Sequence, residues 1–398
     1  MKKIHLHPIL IIFLFFGGTH VDGAVIMVSP GQSVQTAIDQ ASTGDEIVLS
    51  GGIFDENVTI DSKSLGIRSF SSTSEIRSLN IINAAGLSVI QNLQIRDLNS
   101  TGSNLLVKKS TIGNNLSVKG GEFRIIQSSI YEKLLCKAPV SKILYNDLRF
   151  AEIEGNSTLI GNHFDGRNFV GIGIDLNGSH TNAIIHNNRI HNYKGSFNSN
   201  ISEIFIGIRV VGNAKAEIIN NIIYDCYDSG HNGEETKVGL GIYVESTKGT
   251  TILGNALWNC YVDRGVPGVG NRLIWAPSSG VIVENNSFWK LAPAQSNQYI
   301  GGGVIARDSV EGNPKFAAKD HGDFTLASDS PCIDAGPTDP QYNDRDGSRN
   351  DIGMFGGHNF IPDGRTTNKP IVLGLDVAPI AVPTGGTVTI ESTGATVK

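Results

Sequence analysis

Three aspartates near the carboxyl end of this 398-residue chain stand close enough in sequence to bind a metal ion. Asp344, Asp346 and Asp351 surround Gly347, and a hard cation such as Ca²⁺ needs several carboxylate and carbonyl oxygens that converge on a tight turn. No glutamate follows at the twelfth position of an EF-hand loop, and Asp-Gly turns whose aspartate bonds its own backbone are common. A calcium loop and an ordinary turn are therefore the two interpretations of this segment.

Two cysteines occupy equivalent positions in a repeat. Cys226 and Cys260 each stand five residues after an asparagine, Asn221 and Asn255. If the two repeats stack as parallel strands, the Cα atoms of the cysteines lie about 4.8 Å apart, which is within the range of a disulfide. The sequence thus allows either a disulfide or two buried thiols, and it offers no C-x-x-C pair typical of a metal site.

The repeat itself is an asparagine followed two residues later by a large apolar residue. It recurs at Asn162/Phe164, Asn188/Ile190, Asn221/Ile223, Asn255/Leu257 and Asn286/Phe288. A second column is Gly-Ile or a close variant, at Gly173-Ile174, Gly207-Ile208, Gly241-Ile242, Leu273-Ile274 and Gly303-Val304. Alternation of period two around both columns indicates strands with one buried face. The asparagines are expected to bond the backbone of neighbouring turns.

The spacing between the two columns varies on one side only. From the apolar residue of the second column to the next asparagine the counts are 14, 13, 13 and 12, whereas from each asparagine to the next second-column residue they are 12, 20, 21, 19 and 18. Insertions therefore fall at one angular position of every turn, as in a solenoid with all its loops on one face. These counts predict an all-β fold, a parallel β-helix.

A third column lies three residues after each asparagine and carries large polar or aromatic side chains. Its members are Asp165, His191, Tyr224, Trp258 and Trp289. Such a column is either a platform for carbohydrate or packing at the base of the loops.

Caps are predicted at both ends of the solenoid, because unpaired strand edges invite aggregation. Ser33 is expected to cap a short helix whose Val34, Ala37, Ile38 and Ala41 share one face. The loop-rich segment from Asn313 to Ile333 is expected to close the other end. We predict a β-helix with caps over residues 24–357, a linker over 358–370 and a partial β segment over 371–398.

The amino terminus predicts the compartment. Lys2 and Lys3 precede the apolar run 9–16, and small residues lead to Gly23, as in a secretory signal peptide over residues 1–23. The run is shorter than the roughly 20 residues of a membrane span. A secreted or surface-attached protein is expected, and its net charge of −6 with a pI near 5.9 argues against nucleic acid as a partner.

The columns resemble those of the right-handed parallel β-helix proteins similar to pectate lyases. The resemblance rests on Ser33-Val-Gln-Thr-Ala-Ile-Asp-Gln-Ala with Gly51-Gly-Ile-Phe-Asp-Glu-Asn, on the asparagine ladder, and on Ser330-Pro-Cys-Ile-Asp-Ala-Gly with Asp344-Arg-Asp-Gly-Ser-Arg-Asn-Asp-Ile-Gly. The last pair is similar to closing segments of secreted bacterial members that often precede a surface anchor. The resemblance covers roughly residues 28–357 and implies right-handedness, which periodicity does not show.

In this family the substrate groove lies on the strand that follows the variable loops, which corresponds here to the Gly-Ile column. The resemblance therefore implies substrate binding by the outward residues Asp175, Arg209, Tyr243, Glu245 and Trp275 and by the loop residues Tyr193, Lys194, Tyr227, Asp228, His231, Glu234, Glu235, Lys237, Tyr261, Asp263, Arg264 and Arg272. Aromatic side chains beside charges of both signs suit sugar rings with hydroxyl and carboxylate groups.

Catalysis by β-elimination on a uronate needs a proton acceptor and a cation or Ca²⁺ to neutralise the carboxylate. Arg209, Lys237 or Arg264 would be the base and Tyr243 the proton donor, with Asp175, Asp228 or Glu245 holding a metal. Solvated surface charges are the alternative interpretation. The motifs of the family's polygalacturonases and pectin esterases are missing. We therefore expect a secreted or surface protein that binds an acidic polysaccharide, with a polysaccharide lyase and a non-catalytic scaffold or adhesin as alternatives.

Overall fold

The computed structural model describes residues 23–70, 74–178, 180–194, 204–228, 238–262, 272–278, 280–289, 300–302, 304, 306–358, 371–378 and 389–395. Residues 23–360 form one compact unit. In the rest of the described chain, Ile371–Ala378 and Thr389–Ala395 pair as an antiparallel hairpin.

The described residues of the first half of the chain form one α-helix and fifteen strands. In chain order they are β1 Val25–Val28, α1 Val34–Gln40, β2 Glu46–Leu49, β3 Gly52–Asp61, β4 Gly66–Ser69, β5 Ser74–Ile82, β6 Leu87–Gln91, β7 Leu93–Thr101, β8 Asn104–Lys108, β9 Thr111–Ile112, β10 Asn115–Lys119, β11 Glu122–Ile126, β12 Ser129–Lys137, β13 Val140–Leu144, β14 Asp147–Ile153 and β15 Asn156–Ile160.

The second half continues the same alternation. Its strands are β16 His163–Asp165, β17 Gly171–Leu176, β18 Asn182–His186, β19 Arg189–Lys194, β20 Ile204–Val210, β21 Lys215–Ile219, β22 Ile222–Asp228, β23 Val238–Val244, β24 Thr251–Leu253, β25 Ala256–Val262, β26 Ile274–Trp275, β27 Ile282–Glu284, β28 Ser287–Trp289, β29 Ile300–Gly301, β30 Val310–Glu311, β31 Phe316–Ala318, β32 Asp323–Leu326, β33 Ile371–Ala378 and β34 Thr389–Ala395. Two 3₁₀ turns cover Lys319–His321 and Pro340–Tyr342.

The predicted parallel β-helix is confirmed. One sheet stacks twelve strands in the order β1-β2-β4-β6-β8-β11-β13-β15-β18-β21-β24-β27, and the strands on the other sides of the turns join in a sheet of eighteen strands. Within these two sheets each strand pairing joins one turn to the next and is parallel, for example Ile185 of β18 with Ile218 of β21. The inward column Leu159, Ile185, Ile218, Ile252 and Val283 is buried in the core.

The asparagine ladder is the polar part of the stack. The backbone amide of Asn188 donates to Asn221 Oδ1 at 2.9 Å, and that of Asn221 donates to Asn255 Oδ1 at 2.8 Å. Asn221 Nδ2 donates to the Ile185 carbonyl at 2.8 Å and to Asn255 Oδ1 at 2.9 Å. The residue before each of these asparagines has a left-handed backbone conformation, such as Asn187 at φ 56° and Asn220 at φ 56°. The side-chain amides thus satisfy backbone groups that the turn leaves unpaired.

The amino-terminal helix has the predicted capping residue and the predicted buried face. The Ser33 hydroxyl accepts a hydrogen bond from the Thr36 amide, and Val34, Ala37 and Ile38 are buried against the first turns. Burial of this face explains why a seven-residue helix is stable here, since most helical stability in proteins comes from packing of an apolar face.

The carboxyl-terminal loop segment packs against the turns, and the expectation that its residues 313–333 close the far end stays a prediction. It lies along the side of the turns: the carbonyls of Asp351 and Gly356 accept hydrogen bonds from Asn220 Nδ2 and Asn187 Nδ2, each at 2.7 Å. Phe324 and Ile352 are buried with Trp258 in a second apolar cluster. The side-chain amides of the left-handed turn residues Asn187 and Asn220 thus attach the segment to the side of the turns by hydrogen bonds.

Candidate functional site

An outward strip of side chains crosses five consecutive turns on the strands that follow the loop positions. We call it the outward strip; it consists of Glu152, Asp175, Arg209, Tyr243 and Trp275, which are register partners on β14, β17, β20, β23 and β26. Strand spacing is about 4.8 Å, so the strip covers about 19 Å along the solenoid. Asp175, Arg209, Tyr243 and Trp275, which were expected on the outward side of the Gly-Ile column, thus lie in one column of the structure.

On β17, β20 and β23 a glycine two residues before the strip position allows the strand to pass close over the core. A Cβ on Gly207 would stand 2.6 Å from Ile223 Cγ2, and a Cβ on Gly241 would stand 2.8 Å from Leu257 Cδ2. Real side chains do not tolerate such contacts without displacement of the neighbour. The Gly-Ile signature is therefore a packing requirement, and it places the following side chain on the outer surface.

Asp175 and Arg209 form a two-pronged ion pair within the strip. Arg209 Nε donates to Asp175 Oδ1 at 2.8 Å, and Arg209 Nη2 donates to Oδ2 at 2.6 Å. The Arg209 side chain is 28% exposed and that of Asp175 is 14% exposed, so the pair is partly withdrawn from water. The hydrogen bond from Arg209 to Asp175 raises the pKa of the guanidinium. This argues against the expected role of Arg209 as a base, and Nη1, which neither of these two bonds uses, is the donor left for an anion.

Tyr243 and Trp275 provide the aromatic part of the strip. The Tyr243 hydroxyl donates to Glu245 Oε2 at 3.1 Å, and burial together with this hydrogen bond raises the pKa of the phenol. The Trp275 indole lies over Gly301, where an added Cβ would stand 2.5 Å from two ring carbons. Arg272 borders the same place, with Nε 3.2 Å from that Cβ position.

Lys194 and Tyr227 form a second cluster at the loop-side ends of β19 and β22. They are register partners, and Lys194 Nζ lies 5.2 Å from the Tyr227 ring centroid. The ammonium group is also 3.3 Å from Asp225 Oδ2. Among the expected loop residues, these two are thus brought together, with the lysine already paired to an acid.

Tyr193 is not on the surface, and its predicted contact with substrate is wrong. Its side chain is 0% exposed, and its hydroxyl donates to the Arg149 carbonyl at 2.6 Å. The reason is a bend at Asn192, whose left-handed conformation at φ 62° interrupts the alternation of inward and outward side chains along the strand. Asp225 and Asn259 repeat this bend in the next two turns, at φ 55° and 52°.

The same bend turns Cys226 and Cys260 into the core. They are register partners in adjacent turns, as the spacing predicted, but the structure has them as free thiols, so the disulfide expectation is not met. Parallel neighbours point their side chains in the same direction, which keeps the two Cβ atoms about 4.8 Å apart. A disulfide requires about 3.8 Å. Burial raises the pKa of the Cys226 thiol.

In the described chain the ligand atoms of the three aspartates expected for calcium do not all lie within 4.8 Å of one another. The carboxylates are nevertheless near neighbours, since burial together with the charges of Asp351 and Asp346 raises the pKa of Asp344 to about 6. Asp344 accepts hydrogen bonds from the Gly357 and Asp351 amides, Asp346 accepts from Ser348, and Asp351 accepts from the Asp334 amide. These carboxylates hold the backbone of the closing segment, as in ordinary turns, and calcium binding stays a prediction.

A different cluster has the composition of a metal site, and the sequence analysis did not identify it. His163, Asp165 and His191 place one ligand atom each within 4.8 Å of one another. His163 and Arg189 stand directly after ladder asparagines, and their outward direction was readable from the repeat. The stacking of one turn on the next brings His163 beside His191.

The third column forms a stack rather than an open platform. His191, Tyr224 and Trp258 are stacked with ring centroids 4.6 and 4.5 Å apart. Phe324 of the closing segment packs against Tyr224 at 5.4 Å and against Trp258 at 6.1 Å. Because Trp258 is buried under this segment, the packing interpretation of the column is favoured.

Several residues of the expected groove lie outside the described part of the chain. These are His231, Glu234, Glu235, Lys237, Asp263 and Arg264.

Of the helices in the described residues, none has the length and hydropathy to cross a membrane.

No family model matches the sequence, and a comparison with curated proteins finds no match. Among solved structures, the chain is similar to pectate lyase Pel9A, with a TM-score of 0.50 and 12% identity over 84% of this chain and 97% of that one. It also matches the PL6 family alginate lyase AlyGC, with a TM-score of 0.29 and 12% identity over 77% of this chain and 56% of that one. The similarity to pectate lyase Pel9A agrees with the fold described above, and the chain is a parallel β-helix protein similar in architecture to that enzyme.

Proposed function

We propose that this protein is secreted and binds an acidic polysaccharide along the outward strip. The observation that carries the proposal is the alignment of Arg209, Tyr243 and Trp275 on one outward column of three successive turns. Aromatic faces pack on sugar rings, and a guanidinium is a geometric match for a carboxylate. The similarity in fold to a protein named pectate lyase supports a polysaccharide as the ligand.

Binding is favoured over catalysis by the state of the described residues. Elimination requires a group that accepts a proton, and its pKa has to lie near the working pH. The pKa of Arg209 is raised from its ordinary value, so this candidate base keeps its proton. The pKa of Tyr243 is raised as well, which leaves the phenol protonated as a hydrogen-bond donor and does not by itself distinguish binding from catalysis. Such groups donate hydrogen bonds to a bound sugar acid.

Affinity electrophoresis of the full secreted chain tests the proposal. Gels that contain polygalacturonate, alginate or a neutral glucan compare the wild type with Trp275→Ala and Arg209→Gln. We expect retardation in at least one acidic gel, reduced about tenfold in apparent affinity by either substitution, which corresponds to roughly 1.4 kcal/mol. Lys142→Ala on β13 is the matched control, because it removes a cation from the other sheet.

Lack of retardation in every gel would refute polysaccharide binding. If Trp275→Ala and Arg209→Gln are retarded as strongly as the wild type, the polysaccharide binds at a site other than the outward strip.

A polysaccharide lyase is the second candidate, supported by the fold shared with pectate lyase Pel9A. Incubation with the acidic polysaccharides and Ca²⁺ would then produce an unsaturated product, detected by its ultraviolet absorbance. In that case Lys237→Ala should abolish the product if this lysine is the base. Retardation without product assigns binding alone.

A further inference from the structure

We propose that His163, Asp165 and His191 form a binding site for a divalent transition-metal ion such as Zn²⁺. The site is independent of the outward strip. His163 and Asp165 lie two residues apart on β16 and point outward together, while His191 on β19 is the register partner of Asp165. The fold therefore converges three metal-binding side chains from two adjacent turns, with ligand atoms within 4.8 Å of one another.

The orientation of the two imidazole rings is the strongest argument. His163 Nε2 and His191 Nε2 face each other at 2.7 Å, and the rings are nearly parallel, at an interplanar angle of 13°. On the far side of the first ring, His163 Nδ1 lies 2.9 Å from Asp147 Oδ1. A carboxylate at Nδ1 holds the proton there and leaves the Nε2 lone pair facing the cluster, which is the arrangement common behind metal-bound histidines.

Asp165 is held so that one of its oxygens remains available. Its Oδ1 accepts hydrogen bonds from the Arg167 amide at 2.9 Å and from Asn192 Nδ2 at 3.0 Å. Within the described chain, Asp165 Oδ2 has no hydrogen-bond partner. A fixed carboxylate with a free oxygen beside two imidazoles is a ligand set of two nitrogens and one oxygen. Zn²⁺ and similar ions prefer this set, whereas Ca²⁺ prefers oxygen alone.

Arg189 competes with a metal ion for the Nε2 atom of His163. Its Nη2 lies 2.6 Å from His163 Nε2 and donates into the same lone pair. Metal binding requires Arg189 to swing away and the two Nε2 atoms to separate to about 3.3 Å, the spacing that follows from metal–nitrogen bonds of about 2.0 Å in a tetrahedral site. The His163 side chain is 30% exposed, so an ion reaches the site from solvent.

Isothermal titration calorimetry of the full, tag-free chain with ZnCl₂ after chelator treatment tests the site. We expect one ion per chain, and a visible absorption spectrum with Co²⁺ typical of nitrogen and oxygen ligands. His163→Ala and Asp165→Asn should each abolish this binding, and Asp147→Ala should weaken it about 10–100-fold. Asp165→Asn retains the acceptor oxygen for Arg167 and Asn192, so its fold is expected to be intact.

Arg189→Met is the most informative variant, because it should strengthen metal binding whereas the other substitutions weaken it. Removal of the competing cation should tighten Zn²⁺ binding about tenfold, a change that loss of a merely structural contact would not produce. His180→Ala, an exposed histidine outside the cluster, is the matched control and should bind as the wild type does. The proposal is overturned if no ion binds, or if Asp165→Asn and His180→Ala bind equally well while their circular dichroism spectra match the wild type.

Discussion

Replacement of Asp175 by asparagine would test how much the ion pair of the outward strip stabilises the fold. The substitution keeps one oxygen that can accept from Arg209 but removes the charge and the second of the two hydrogen bonds. Arg209 would then be left partly buried with an incomplete partner.

The magnitude lies between two limits. An exposed ion pair contributes about 0–1 kcal/mol, and breaking a fully buried pair costs about 3–5 kcal/mol. With the two side chains 28% and 14% exposed, we expect Asp175→Asn to lower the free energy of unfolding by about 1.5–2 kcal/mol, the scale of a charge-assisted hydrogen bond. The loss should vary little with salt, because partly buried pairs are poorly screened.

Urea unfolding of the wild type, Asp175→Asn, Arg209→Gln and the double variant measures the coupling directly. We expect a coupling energy of about 1–1.5 kcal/mol, since each single substitution already breaks the pair and the second adds little. A coupling below about 0.5 kcal/mol, or one that disappears in 0.5 M salt, would show that the pair behaves as an exposed one and would refute this reasoning.

Three further predictions concern the core and its titration. Asn221→Ala should lower the free energy of unfolding by about 2–4 kcal/mol in urea, because the ladder amides of neighbouring turns lose a buried partner; an effect under about 1 kcal/mol would contradict the ladder's role. Gly207→Ala should lower the free energy of unfolding by about 1–3 kcal/mol, because its Cβ would meet Ile223. The control Gly113→Ala, whose Cβ would lie 3.6 Å from its nearest neighbour, should lower it by less than about 1 kcal/mol. Equal effects of the two substitutions would argue against close packing at the Gly-Ile column. Burial lowers the pKa of His186 to about 4, so the folded state resists its protonation, and the stabilisation present above pH 6.5 is lost as the pH falls toward 4. His186→Gln should flatten the pH dependence of the melting temperature over that interval, and an unchanged slope would exclude His186 as its source.

The periodicity of the sequence was sufficient to predict the fold. The Asn and Gly-Ile columns predicted parallel stacked turns because every turn repeats the same buried positions, and the constant half of each turn fixed the register of Asp175, Arg209, Tyr243 and Trp275. The helix cap at Ser33 followed equally from local chemistry.

What only the tertiary structure decided are the features that depend on a backbone bend or on a distant segment. The left-handed residue Asn192 shifts the alternation by one position and buries Tyr193, and asparagine alone does not specify that conformation. The closing segment covers Trp258, which the sequence left open as a platform. Asp147, His163 and His191 meet through the stacking of three turns, whereas the signal of each is a single outward side chain.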